Sequence, residues 1–136
     1  NSTSYQNSRS GNTDYYLLAK ILEHAGAHKL NIGWTYLEAS WEAENKRSHK
    51  KYVRYLNLAI DNFNAAVDTG DREVGFKIRF LLVELNRLKG DFDSAKLKLK
   101  ELEANLTPVG YEKVVVDYEK ELIDGQNSKP QMLPKG

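Results

Sequence analysis

The chain has 136 residues, of which 40% are hydrophobic and 29% charged, a composition typical of a folded protein rather than a disordered one. Its 20 basic and 19 acidic residues leave a formal charge of +1, which excludes a whole-domain field that would gather nucleic acid or an anionic membrane. The absence of cysteine excludes thiol nucleophiles, disulfides and Cys-bound metals. No apolar run approaches the roughly 18 residues of a membrane span, and no secretion signal is visible, so we expect a cytoplasmic protein.

The two ends of the chain are polar and rich in residues that favour turns. Ser and Asn dominate residues 1–12, and Gly and Pro recur in residues 125–136. We therefore expect a disordered tail over 1–12, one helical domain over 13–124 and a flexible tail over 125–136. Because the sequence begins at Asn1 rather than Met, we also expect it to be part of a longer protein.

Between these tails, apolar residues recur at intervals of three and four, which predicts helices. The pattern predicts six of them, over about residues 14–25, 28–45, 48–69, 71–90, 91–106 and 107–124. Residue types that accept hydrogen bonds from a helix N-terminus stand at four of the predicted starts, namely Thr13, Asp71, Asp91 and Thr107, the last with Pro108 after it. Glycines that favour a left-handed helix end stand at three of the predicted stops, Gly26, Gly70 and Gly90.

Two of the predicted helices carry an unusual apolar pattern. The second has two apolar stripes, which predict packing on two sides; they are Leu30, Trp34, Leu37 and Trp41, and Ile32, Tyr36, Ala39 and Ala43. The sixth has an inward face predicted to consist of Tyr111, Val114, Val115, Tyr118 and Leu122. Because residues 114–116 are three consecutive valines, a strand remains an alternative there.

The helix pairs show an internal repeat in which small and large apolar residues alternate where two helices meet. One copy has Ala95 and Leu99 after the turn at residues 90–92, and another has Ala59 and Phe63 after Gly33. This pattern resembles the tetratricopeptide repeat. The resemblance implies an all-α fold of antiparallel helix pairs, stacked as a short right-handed superhelix of about six helices, with those four residues at its seams.

A second resemblance covers roughly residues 15–105. The runs YYLLAKILEHAG, LNIGWTYLEASWEAE, YLNLAIDNFNAAV and FLLVELNRLKGDFDSA are similar to the C-terminal half of a bacterial family of uncharacterised proteins. Members of that family typically carry a Cys-rich N-terminal segment, expected to bind zinc, before a tetratricopeptide-like half. This chain has no cysteine, so the resemblance implies a helical fold and a bacterial cytoplasmic setting but no zinc site.

The tetratricopeptide resemblance also implies where a partner binds, because such stacks hold peptides on the concave face of their leading helices. Matching positions place five candidate residues on that groove: Trp34, Lys77, Phe80, Glu84 and Arg87. Phe80 stands off the main apolar stripe between charged neighbours, which favours a contact surface. Packing in a core is the alternative for Phe80 and Trp34, because aromatic residues at helical spacing usually belong to cores.

A basic segment at residues 46–54 is the strongest local charge feature. It contains Lys46, Arg47, Lys50, Lys51 and Arg54, and it follows the acidic Glu38, Glu42 and Glu44. One interpretation is that the two clusters neutralise each other across the helix hairpin. The other is an acidic peptide or nucleic-acid partner, with Tyr52 and Tyr55 available for stacking.

The sequence supplies no pattern for chemistry. His24 and His28 are four residues apart, but Gly26 between them predicts a helix end, so we expect no metal site there. No phosphate loop, nucleophile elbow or HExxH motif is present, so we expect neither enzyme activity nor a cofactor. The sequence therefore favours an interaction module that binds a protein or peptide, with homodimerisation as an alternative. A nucleic-acid-associated regulator that uses the basic segment is the second hypothesis.

Overall fold

The computed structural model describes residues 14–68 and 70–131. Within these ranges the chain is all-helical and contains no strand. Its six helices are α1 (Tyr15–His24), α2 (Lys29–Asn45), α3 (His49–Ala65), α4 (Arg72–Leu88), α5 (Phe92–Asn105) and α6 (Tyr111–Asp124). The all-α prediction is confirmed, and the alternative of a strand at residues 114–116 is wrong because these residues lie inside α6. No helix in the described ranges is long and apolar enough to cross a membrane.

The chain forms two compact units that divide between Phe63 and Asn64, near the end of α3. The first unit contains α1, α2 and most of α3, and the second contains α4, α5 and α6. The predicted tail at residues 1–12 lies outside the described residues, as do residues 132–136. The predicted domain limits at 13 and 124, and the stacking of the pairs into a superhelix, stay predictions.

Side-chain caps define most of the helix starts. Asp71 and Asp91 cap α4 and α5 as predicted, each accepting a backbone N–H three residues on at 3.0 Å. At α1 the prediction of Thr13 is wrong, because Asp14 accepts the N–H of Leu17 at 3.0 Å and is itself the N-cap. Thr13 lies outside the described residues.

The sixth helix begins later than the Thr107-Pro108 pattern predicts. It starts at Tyr111, after Gly110 with φ of 55°. The carbonyl of Thr107 accepts a hydrogen bond from Arg72 Nη2 at 2.7 Å. This tertiary contact ties the backbone before α6 to the start of α4. The third helix also differs, since it ends at Ala65 and not near Thr69, which lies outside the described residues.

The first unit buries one of the two predicted stripes of α2 completely. Ile32, Tyr36, Ala39 and Ala43 are all buried, together with Ala19 of α1 and Leu56, Ala59 and Phe63 of α3. On the other stripe Leu37 is buried, whereas Trp34 and Trp41 are exposed. The core of the first unit therefore lies on the Tyr36 side of α2, and the two tryptophans flank it.

The second unit has a core built from three helices. Its buried members are Phe76 and Val83 of α4, Ala95, Leu99 and Leu102 of α5, and Val115, Val116 and Ile123 of α6. The predicted inward face of α6 is partly wrong, because Tyr111 and Val114 are exposed while Val116 and Ile123 are buried. Three consecutive valines fit either orientation of the helix, and packing against α4 and α5 selects the one observed.

Candidate functional site

The predicted groove residues fall in both compact units. Trp34 belongs to α2 in the first unit, and the other four belong to α4 in the second. Lys77 is exposed and its Nζ lies 3.4 Å from Glu73 Oε1 on the same helix. Phe80 is half-buried against the core of the second unit, and its ring stacks on Phe76 at 6.1 Å between centroids. The core-packing alternative for Phe80 therefore has direct structural support.

Arg87 does not lie on an open groove, and that part of the prediction is corrected by the structure. Its side chain is 0% exposed. Arg87 Nη2 and Nε bind Glu84 Oε2 at 2.6 and 2.9 Å. Nε also donates to Glu119 Oε1 of α6 at 2.9 Å. Arg87 and Glu84 thus form part of an internal ion-pair cluster, and the sequence could not reveal this because Glu119 lies 32 residues away.

Glu119 is the member of this cluster that sequence analysis missed. It is fully buried, and its Oε2 has no hydrogen-bond partner. Burial is the main cause that raises the pKa of Glu119 to about 8, and the nearby carboxylate of Glu84 raises it further. The Arg87 guanidinium opposes this shift. A carboxyl group in this setting takes its proton near neutral pH, so the charge of the cluster depends on pH.

One of the two exposed tryptophans of α2 is anchored at its edge. The ring of Trp34 makes an edge-to-face contact with Phe63, with centroids 5.3 Å apart, yet the residue is 45% exposed. Trp41, two turns further along the same face, is exposed to a similar extent. This side of α2 therefore presents aromatic surface to solvent while remaining rigid at Trp34.

The first helix carries an apolar surface that the sequence analysis did not identify. Leu17 and Ile21 are each 55% exposed, and Leu18 beside them is also exposed. Ala19, two positions from both Leu17 and Ile21, is completely buried. Since two residues on a helix differ by about 200° of rotation, Leu17 and Ile21 lie on the side away from the core. The spacing of four between them was the available signal.

The basic segment lies on the surface of the first unit. All five of its members, Lys46, Arg47, Lys50, Lys51 and Arg54, are exposed. In the described ranges, the ion pair between this segment and the preceding acids is Lys46 to Glu42, at 3.9 Å. Arg54 Nη2 donates to the hydroxyl of Tyr16 at 3.2 Å. Mutual neutralisation therefore accounts for one of the five charges.

The two tyrosines of the basic segment are not equivalent. The ring of Tyr55 stacks on Tyr16 of α1, with centroids 4.8 Å apart, so it is already used within the unit. Tyr52 is half-buried, and its ring lies 6.1 Å from that of His49. Burial raises the pKa of Tyr52, and the charge of Glu44 adds to the shift. Of the two rings predicted to stack on a ligand, that of Tyr52 is therefore the better candidate.

His28 has a structural use. Its Nδ1 accepts the backbone N–H of Leu30 at 3.1 Å, which makes His28 the N-cap of α2. His24 lies in the last turn of α1. Across residues 14–68 and 70–131, no three His, Asp or Glu side chains stand close enough together to hold a metal ion.

A cleft of about 200 Å³ lies at the start of α4 in the second unit. Arg72 and Arg79 line it together with Asp68 and Asp71. Arg72 is engaged with both carboxylate oxygens of Glu112, each at 2.9 Å, and Arg79 reaches Asp68 at 3.3 Å. Both arginines that line this cleft are thus already paired with carboxylates.

These features define the chain as an all-α protein of helix pairs that exposes apolar and basic surface on its first unit. A family model described as "Uncharacterized protein conserved in bacteria (DUF2225)" matches residues 2–124. The chain therefore belongs to this bacterial family. No curated protein and no solved structure matches it significantly.

Proposed function

We propose that this chain is a non-catalytic protein–protein interaction module of the bacterial cytoplasm. It binds a peptide segment, or a second copy of itself, through the surface of its helix pairs. The observation that carries the proposal is the exposed apolar face of α1, formed by Leu17, Leu18 and Ile21. Apolar side chains grouped on one face of a helix, away from its own core, are typical of interaction surfaces.

The energetics favour covering this face. Complete burial of a fully exposed Leu or Ile side chain is worth about 1.5–3 kcal/mol. Leu17 and Ile21 are each 55% exposed, so covering them supplies part of that value for each residue. The ion pair of Lys20 with Glu23, at 3.4 Å, lies on the same helix and supplies a polar border. An apolar centre with a polar rim is the usual anatomy of a protein interface.

The proposed fold relationship is tetratricopeptide-like, with the two helix pairs α2–α3 and α4–α5 as repeat units. The burial of Ala59, Phe63, Ala95 and Leu99 supports it, since these are the predicted seam residues. Proteins of this architecture use their helix surfaces to hold other proteins. A Cys-rich N-terminal segment, of the kind that the family resemblance implies, would make the present chain a scaffold for a zinc-binding neighbour.

A charge introduced on α1 tests the proposal. We expect Leu17→Asp with Ile21→Asp to abolish contacts made by this face while leaving the fold intact, because both side chains are largely in solvent. Leu97→Asp is the matched control, since Leu97 is 56% exposed but lies on α5 in the other unit. Sedimentation velocity of the two variants measures self-association, and photo-crosslinking in bacterial cells from position 21 or position 97 of the otherwise unchanged protein measures other partners. Equal self-association of the two variants, together with equal crosslinking from the two positions, contradicts the proposal.

The second candidate is an acidic partner, either a protein segment or a nucleic acid, bound by the basic segment. It rests on the exposure of Arg47, Lys50 and Lys51, for which the described residues provide no carboxylate within ion-pair distance. Binding of this kind weakens steeply as salt is added, because counterions are released from the partner. The test is a salt titration of binding to a labelled oligonucleotide and to a poly-glutamate peptide.

The matched variants for this titration are Lys50→Glu with Lys51→Glu, and Lys96→Glu with Lys100→Glu. All four lysines are exposed, but the second pair lies on α5. We expect the first pair of substitutions alone to remove binding. Binding that does not depend on salt, or that both pairs weaken equally, rules out the basic segment as the site.

A further inference from the structure

The buried side chain of Arg87 joins three parts of the second unit. On α4 it contacts Glu84, and on α6 it contacts Glu119. Its Nη1 donates to the backbone carbonyls of Asn127 and Lys129, at 2.7 and 2.8 Å. Arg87 therefore holds the segment that follows α6 against α4, in addition to its ion pairs.

The hydrogen bonds of this guanidinium are unevenly divided. A guanidinium has five N–H donors. Nη1 serves the two carbonyls, and Nη2 serves Glu84. Nε is shared between Glu84 and Glu119, so Glu119 has a share in one N–H, and its Oε2 has no partner. The geometry satisfies one ionised carboxylate well and a second one poorly.

The charge balance of the cluster leads to the same conclusion. One guanidinium neutralises one carboxylate, so two ionised glutamates would leave a net negative charge in a cluster where Arg87 and Glu119 are buried and Glu84 is 17% exposed. From α4, the charged groups that face Glu119 are Glu84 and Arg87. On α6 itself, the neighbouring Lys120 is paired with Glu103 of α5 at 2.9 Å. The segment after α6 contributes carbonyl oxygens, and the side chain of Lys129 is exposed.

We propose that Glu84, Arg87 and Glu119 form a proton-dependent latch that holds residues 127–129 against α4. When Glu119 is neutral, the charge of Arg87 is balanced by Glu84, and Nη1 remains available to both carbonyls. When Glu119 loses its proton, a second carboxylate competes for the same guanidinium and the cluster becomes negatively charged. The contacts to Asn127 and Lys129 weaken, and the segment is released.

A spin label on this segment tests the latch directly. Ser128 is exposed and lies between the two residues whose carbonyls are bound. Because the protein contains no cysteine, Ser128→Cys provides a single attachment site for a nitroxide. We expect the label to become more mobile as the pH rises through about 8, the value to which the pKa of Glu119 is raised. Electron paramagnetic resonance spectra from about pH 5 to about pH 10 measure this change.

Three further variants in the labelled background distinguish a latch from general loosening. Glu119→Gln keeps the shape of the side chain without its charge, so the segment is expected to stay held at every pH. Glu103→Gln removes a carboxylate from the same unit and is expected to keep the transition. Arg87→Lys keeps the positive charge but cannot serve both carbonyls and Glu84 together, so the label is expected to be mobile throughout.

Circular dichroism at each pH confirms that the helices remain formed. A label whose mobility stays constant from about pH 5 to about pH 10 in the otherwise unchanged protein overturns the proposal. A transition that persists in Glu119→Gln overturns it as well. The first of these outcomes does not depend on how well any further variant folds.

Discussion

Gly33 of α2 lies directly against the ring of Phe63 on α3. A Cβ atom built on Gly33 would stand 2.9 Å from Phe63 Cε1 and 3.0 Å from Cδ1. Real Cβ atoms almost never come this close to another carbon. Phe63 is 0% exposed, so its ring has little room to move away. The absence of a side chain at position 33 is therefore what allows the two helices to approach.

Gly33→Ala is expected to destabilise the protein. Alanine in place of glycine inside a helix normally stabilises by about 0.5–1 kcal/mol. Here the added methyl overpacks a closed core, which costs about 1–3 kcal/mol and outweighs that gain. Gly75→Ala is the matched control, because the new Cβ would meet only Leu106 Cδ1, at 3.9 Å. Urea unfolding of both variants measures the difference, and an increase in stability for Gly33→Ala contradicts the predicted contact.

Asp91→Ala is expected to lower the stability of the second unit. Asp91 accepts the backbone N–H of Ser94 at 3.0 Å and the Ser94 hydroxyl at 2.8 Å. Loss of such a cap typically costs about 1 kcal/mol. Asp93→Ala changes an exposed position in the first turn of the same helix. It is expected to cost at most a few tenths of a kcal/mol, roughly the size of a helix-dipole effect. Thermal unfolding compares the two, and equal losses refute the cap assignment.

The cap of Asp91 also has a pH dependence. The hydrogen bonds from Ser94 hold the pKa of Asp91 below its usual range. A carboxyl group with a lowered folded-state pKa stabilises the protein at pH values above its unfolded-state pKa. That contribution disappears as the pH falls through the lowered value. We therefore expect the stability difference between Asp91→Ala and the parent protein to shrink in acid. A difference that persists at low pH argues against a lowered pKa of Asp91.

Glu119 has the opposite dependence. Its folded-state pKa is raised to about 8 from an ordinary value of 4.5. Its contribution to stability is thus fully present below the unfolded-state value and is lost as the pH rises through the folded-state value. The slope in this window is at most about 1.4 kcal/mol per pH unit for one proton. As the pH rises from the unfolded-state pKa of 4.5 to the folded-state pKa of about 8, the free energy of unfolding of the parent protein is expected to fall relative to that of Glu119→Gln.

Urea unfolding at a series of pH values measures the pH dependence of stability that Glu119 causes. Glu103→Gln is the control for removing a carboxylate. Glu103 contacts Lys120 and is 36% exposed, so its substitution is expected to leave the pH profile unchanged. A constant difference between the parent protein and Glu119→Gln from about pH 5 to about pH 9 is incompatible with a buried, protonated Glu119.

The helical class and most helix boundaries follow from the sequence because their causes are local. The caps Asp71 and Asp91 act within three residues, and the glycines that end helices act at their own φ, which is 75° at Gly26 and 85° at Gly90. The spacing of apolar residues that predicts a helix is also local, because residues three or four apart lie within about one helical turn. At Thr107, where the predicted boundary was wrong, the backbone carbonyl is bound by the distant Arg72. At α1 the error was local, because the neighbouring Asp14 is the cap.

The candidate sites were predictable only in part. The basic segment lies on the surface as its composition indicates, and α1 offered a weak signal in the spacing of Leu17 and Ile21. The burial of Arg87 had no local signal, because its partners other than Glu84 lie 32, 40 and 42 residues further along the chain. Sequence patterning places arginine on surfaces, since a buried guanidinium is unfavourable unless it is paired.

The sequence by itself determined that this protein is helical, where most of its helices begin and end, and which seam residues are buried. Each of these depends on hydrogen bonds and side-chain spacing within a few residues. Only the tertiary structure decided that α6 turns Val116 rather than Val114 inward, and that Arg87 and Glu119 form an internal cluster. Those outcomes depend on which helix faces meet in the second unit, and the free energy of that packing is shared among residues far apart in the chain.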